Sequence, residues 1–188
     1  ALTEAQAATN VLNNGYSTNY SSATTAADQA AISREIGSRM MASGSSAVQS
    51  LESGIRQTSW GKNLTKEQMS QVIDTVSAGI SAGWSTPEIF RRIGLSFGAK
   101  TASGTSENDT SQKGLAINEE DRKALQNTFQ TTNSSDLSKA REAALTETDS
   151  RTFLNNAGVS ENSQVGRTVQ NAIEKTQNYQ KTMSATCL

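Results

Sequence analysis

The sequence predicts an all-α protein: an elongated helical bundle with long, narrow-seamed, coiled-coil-like helices and a flexible connector. Three observations predict it. The few large apolar residues recur at helical spacings of three and four. Capping residues stand where those patterns begin. Ser, Thr, Asn and Gln supply roughly 40% of the chain, and the hydrophobic fraction is 34%, below the roughly 45–50% of ordinary globular domains. A core that thin suits narrow helical seams better than a three-layer globule. Charge does not hold the chain open, because 17 basic residues face 18 acidic ones.

Residues 1–14 carry a weak helical pattern, which the turn formers of 13–22 break. The next pattern predicts one long helix over 22–57. Its seam is Ile32, Ile36, Met40, Val48, Leu51 and Ile55, with Gly44 in the missing position. Each interior glycine costs about 1 kcal/mol relative to Ala. Gly37, Gly44 and Gly54 therefore imply close contact with a neighbouring helix, or a bend. After a turn at 60–63, Thr65 and Gln68 have the form of a capping box. The helix they open, 65–83, is the most amphipathic, with Met69, Val72, Ile73, Val76 and Ile80 on one face and Gly83 at its end. Its seam and that of the long helix are expected to pack antiparallel across the short turn.

Thr86-Pro87-Glu88 predicts a short helix to about 94, with Ile89, Phe90 and Ile93 apolar. Helical spacing is then lost. Leu95, Phe97 and Ala99 alternate as a short strand would, and 100–114 holds nothing large to bury, which predicts a flexible linker. Asn118 with Glu119, Glu120 and Asp121 opens a helix over 118–131, acids at its positive end. Ser135 is read as the cap of a helix over 135–153 with the small face Leu137, Ala140 and Ala144. Gly158 is read as a stop. A last helix over 163–184 carries Val165, Val169, Ala172, Thr176, Tyr179 and Met183 at heptad-like spacing, a weak seam open to self-association. The chain thus divides into helical segments 1–99 and 115–188 about the 100–114 linker, with packing as one domain left open. There is no fixed-period internal repeat.

The inventory argues against catalysis. There is no His and a single Cys, Cys187, so neither a Ser-His-Asp nor a Cys-His arrangement can form, nor a Cys/His zinc site. No enzymatic activity, metal or cofactor is expected. Glu107, Asn108 and Asp109 lack calcium-loop spacing. A net charge of −1 without a basic cluster argues against nucleic acid. No apolar run is long enough to cross a membrane. The start has neither a basic nor an apolar leader region and reads as a piece of a longer protein.

What remains is protein recognition. Trp60 and Trp84 stand at helix ends in a chain with 5% aromatic residues. Each reads either as a plug on the end of the core or as a partly exposed anchor. The candidate partner-binding residues are Trp60, Lys62, Trp84, Phe90, Arg91 and Arg92. The amphipathic stretch around Phe90 also admits a membrane-surface contact.

The passages SAGISAGWSTPEIFRRIGLSFGAKTASGTSENDTSQKG and SSDLSKAREAALTETDSRTFLNNAGVSENSQ resemble the C-terminal region of the TraG family, the conjugative mating-pair stabilisation proteins of F-like transfer systems. The shared features are a small-residue passage after a helix and Ser/Ala/Arg-rich helices beyond it. The resemblance implies a periplasmic part of an inner-membrane protein, anchored outside this segment, in a type IV secretion apparatus. It implies roles in mating-pair stabilisation and entry exclusion. The expected partners are the entry exclusion protein of the recipient's inner membrane and other conjugation-machinery proteins. It supplies no catalytic motif. The competing expectation is an extended helical structural protein of a phage tape-measure or flagellar type.

Overall fold

A computed structural model describes residues 23–96 and 115–186. The weak helical pattern of 1–14, the linker of 100–114, the acidic group at 107–109 and Cys187 lie outside the described residues. Eight α-helices stand among those that are described: α1 (Ala23–Ala42), α2 (Ser46–Arg56), α3 (Lys66–Ala82), α4 (Thr86–Arg92), α5 (Glu119–Thr131), α6 (Ser134–Thr146), α7 (Ser150–Ala157) and α8 (Gln164–Thr186). The protein is an all-α bundle. A 3₁₀ turn at Gly61–Asn63 leads into α3. Strands β1 (Leu95–Ser96) and β2 (Leu115–Ala116) pair in parallel, Leu95 opposite Leu115.

The single helix expected over 22–57 is two helices. Gly44 adopts φ +80°, and a Cβ there would meet nothing within 4 Å. It serves the bend, not a contact. Ser45 then caps α2, its hydroxyl accepting from the Val48 N–H at 3.3 Å. Gly37 and Gly54 serve close contact instead. A Cβ on Gly37 would lie 1.7 Å from the Ser70 carbonyl oxygen, and one on Gly54 2.5 Å from the Thr128 side chain. Thus Gly37 lets the backbones of α1 and α3 touch, and Gly54 lets α2 approach α5.

The helix expected over 135–153 also divides. Asn133, not Ser135, caps α6, and Asp149 caps α7 by accepting from the Thr152 N–H at 2.8 Å. The carbonyls freed at the break are used. Gln177 of α8 donates to Thr146 O and Thr148 O at 3.2 and 3.0 Å. Arg39 of α1 donates to the Thr148 hydroxyl at 3.1 Å and lies 4.9 Å over the Phe153 ring. The corner between α6 and α7 is therefore where α1 and α8 are fastened.

Other starts and stops, the cap of α4 apart, fall where the sequence places them. Thr65 and Gln68 form both bonds of the capping box. Gly83 and Gly158 take left-handed conformations after α3 and α7. Asn118 caps α5. The cap of α4 is Ser85, one residue earlier than read, which puts Pro87 in the first turn.

α3 is the central element. It packs antiparallel along α1 and against α6, and its apolar seam Met69, Val72, Ile73 and Val76 is buried with Ile32 and Ile36. Its back is buried too. Asp74 there is fully enclosed, accepting from Arg141 Nε of α6 at 2.8 Å and from the Ser33 hydroxyl of α1 at 2.7 Å. The core continues without interruption through Leu125, Leu137, Phe153, Val169 and Ile173. Segments 23–96 and 115–186 thus share one core.

Candidate functional site

The corner between α3 and α4 is assembled by its local sequence. Gly83 at φ +78° ends α3, and the Trp84 N–H turns back to Gly79 O at 2.9 Å. That bond closes a Schellman turn, which fixes where the tryptophan points. Gly79 makes room for the ring, since a Cβ on it would lie 2.6 Å from Trp84 Cε3. Ser85 starts α4 by accepting from the Glu88 N–H at 3.3 Å. Glu88 then binds both arginines, Arg91 Nη2 and Arg92 Nε each at 2.5 Å. The Arg92 guanidinium so held lies 4.5 Å over the Trp84 ring. Such a pair contributes about 0.5–1 kcal/mol where exposed and more when desolvated.

The hydrogen bond from Arg91 holds the Glu88 carboxyl below its ordinary value; partial burial opposes this, and Arg92 adds to it. Glu88 stays ionised over the neutral range, and both guanidinium groups stay oriented. The corner therefore presents a half-buried indole, a guanidinium on its face and a second, exposed one at Arg91. Aromatic and arginine side chains held this way are typical anchors of protein interfaces.

The other candidate residues are placed differently. Phe90 is fully buried and meets Phe129 edge-to-face at 5.8 Å. It belongs to the core and offers no surface to a partner, which corrects its reading as a contact residue. It sits on the inner side of α4, opposite the arginines. Trp60 and Lys62 lie before α3 and Trp84 after it, so α3 separates them by about 25 Å at 1.5 Å per residue. The structure brings Trp84, Arg91 and Arg92 together and leaves Trp60 and Lys62 as a second place. Lys62 is exposed there, and Trp60 packs half-buried on the core. The Ser59 and Trp60 N–H groups donate to the Asp121 carboxylate at 3.3 and 3.4 Å. Asp121, expected only at the positive end of its helix, thus also anchors this turn.

Sequence reasoning missed Glu88 as the residue that arranges the site, and Gln29 as a neighbour of it. The signal for Glu88 was present: a glutamate three and four residues before two arginines. Nothing in the sequence marked Gln29, which lines a pocket beside Trp84 and Arg92.

Among the described residues no group of three or more His, Cys, Asp or Glu side chains could hold a metal ion. No helix among them is long and apolar enough to cross a membrane. No family model matches the chain, and no curated protein or solved structure is significantly similar to it.

Proposed function

We propose that this chain is a non-enzymatic protein-recognition module of a bacterial conjugation apparatus. In this reading it is the periplasmic part of an inner-membrane-anchored protein. It contributes to mating-pair stabilisation, and the recipient's entry exclusion protein reads it. The observation that carries the recognition role is the α3–α4 corner, where Trp84, Arg92 and Arg91 are prearranged by Glu88 on a short helix. The partner is suggested by the resemblance of residues 77–114 and 134–164 to the TraG family. A core shared between segments far apart in the chain supports a discrete module over an extended rod.

The test is capture of the exclusion protein by the purified full chain, wild type against a Trp84→Ala/Arg91→Ala/Arg92→Ala variant checked for helicity. Loss of capture with helicity retained supports the proposal. Undiminished capture by the folded variant dismisses this surface and moves attention to α5–α8.

A further inference from the structure

Beside the α3–α4 corner lies a pocket of about 240 Å³, bounded by α1, α3, Trp84 and Arg92. Its origin is geometric. The backbones of α1 and α3 touch where Gly37 meets Ser70. One turn away Ser33 still reaches Asp74. Further along, the facing residues are small, among them Ala30 on α1 and Thr75 and Ala78 on α3. They do not close the gap between the helices, and Trp84 with Arg92 walls it off.

Gln29 borders this space. It is 7% exposed, and its Oε1 is shut from solvent without a hydrogen-bond partner. Buried polar atoms are almost always paired, so an orphaned amide oxygen beside a pocket points to something that pairs with it. For a ligand in the pocket to meet this oxygen, the carboxamide must turn about its side-chain bonds.

Three properties define that ligand. The volume is under the roughly 300–1,000 Å³ of small-molecule sites and suits one side chain. The charge of Arg92 is already met by Glu88, so the wall does not call for an anion. Gln29 offers an acceptor and a donor side by side, which a second carboxamide matches at both ends. We infer that the pocket receives a glutamine or asparagine side chain of the protein recognised at this corner. The ligand N–H donates to Gln29 Oε1, and its carbonyl accepts from the Gln29 amide. This rests on the recognition role proposed above.

The experiment is an NMR titration of the full chain with N-acetylglutamine methylamide, and with the glutamate and norleucine analogues. The glutamine compound is expected to shift the Trp84 indole N–H and the Gln29 side-chain amide saturably. The two analogues should bind at least about tenfold more weakly, the loss expected when a buried amide stays unpaired. Gln29→Leu, which removes the amide, and Ala30→Leu, which fills the space, should each weaken binding about as much with helicity unchanged. No saturable shift, equal binding of the norleucine compound, or indifference to Gln29→Leu would overturn the inference. Capture of the exclusion protein separates the two ideas. If Gln29→Leu captures it like wild type while the Trp84/Arg91/Arg92 variant does not, the pocket inference falls and the recognition role stands.

Discussion

Two ionic arrangements decide most at the residue scale. Asp74 and Arg141 are both enclosed, so each depends on the other to offset its lost hydration. Removing one partner of such a pair costs about 3–5 kcal/mol, whereas replacing both with apolar residues is often neutral or stabilising. Arg141→Met should therefore lose stability in that range. The Asp74→Leu/Arg141→Met double variant should recover much of it in urea unfolding. A double variant as unstable as the sum of the singles would show that the pair does not act as a unit. Glu88 is different because it is partly exposed. Its folded pKa is lowered, so the unfolded chain binds the proton more readily. The stabilisation it brings is present above the ordinary carboxylate pKa and is lost as pH falls through the lowered folded value. Trp84 fluorescence should change over that acid window as the hold on Arg92 is released, and Glu88→Gln should abolish the transition. An identical transition in Glu88→Gln would assign it to another carboxylate.

Glycines and caps set the elements, and two of their roles lead to opposite predictions. Gly44→Ala meets no atom, so its cost is only the positive φ, about 1–2 kcal/mol. Gly79→Ala adds a better helix former to α3 yet drives a Cβ into the Trp84 ring and Ile89. It should displace the indole and weaken capture of the exclusion protein although the guanidinium groups remain. Unchanged Trp84 fluorescence and unchanged capture in Gly79→Ala would mean that the Schellman turn does not fix the indole. The same residues show how far the sequence could be read. The Thr65 box, the Gly83 and Gly158 stops and the buried seams of α1 and α3 follow local rules, and they were legible. A bend was one of the two readings of Gly44, although one helix was expected across it; the break at Asp149 was not foreseen. A helical period of apolar residues persists across a short bend, and the groups that secure the second break, Arg39 and Gln177, come from distant parts of the chain. Asp74 and Arg141 escaped notice for a related reason. A polar position on an amphipathic helix reads as solvated until a third helix covers it. Of the candidate site, the pairing of Trp84 with Arg92 was within reach, but the inward turn of Phe90 needed the α4–α5 packing.

On the scale of the whole molecule, one core joins the helices of 23–96 to those of 115–186. Unfolding should therefore be a single transition, with Trp fluorescence and far-UV circular dichroism coincident; two separated transitions would indicate two independent units. Ile36→Ala and Ile73→Ala, both fully buried where α1 meets α3, should each cost about 2–5 kcal/mol. Losses below about 0.5 kcal/mol at both sites, within the range of surface substitutions, would refute that pairing. The proposed recognition of the α3–α4 corner by the exclusion protein is a property of the assembled apparatus. Conjugation itself tests it most directly, with donors carrying either the wild-type chain or the Trp84→Ala/Arg91→Ala/Arg92→Ala variant. Transfer is measured into recipients with and without the exclusion protein. Near-normal transfer is expected into recipients lacking it, with exclusion of the variant's donors weakened at least about tenfold, as for loss of an interface anchor. Full exclusion of donors carrying the folded variant would contradict it.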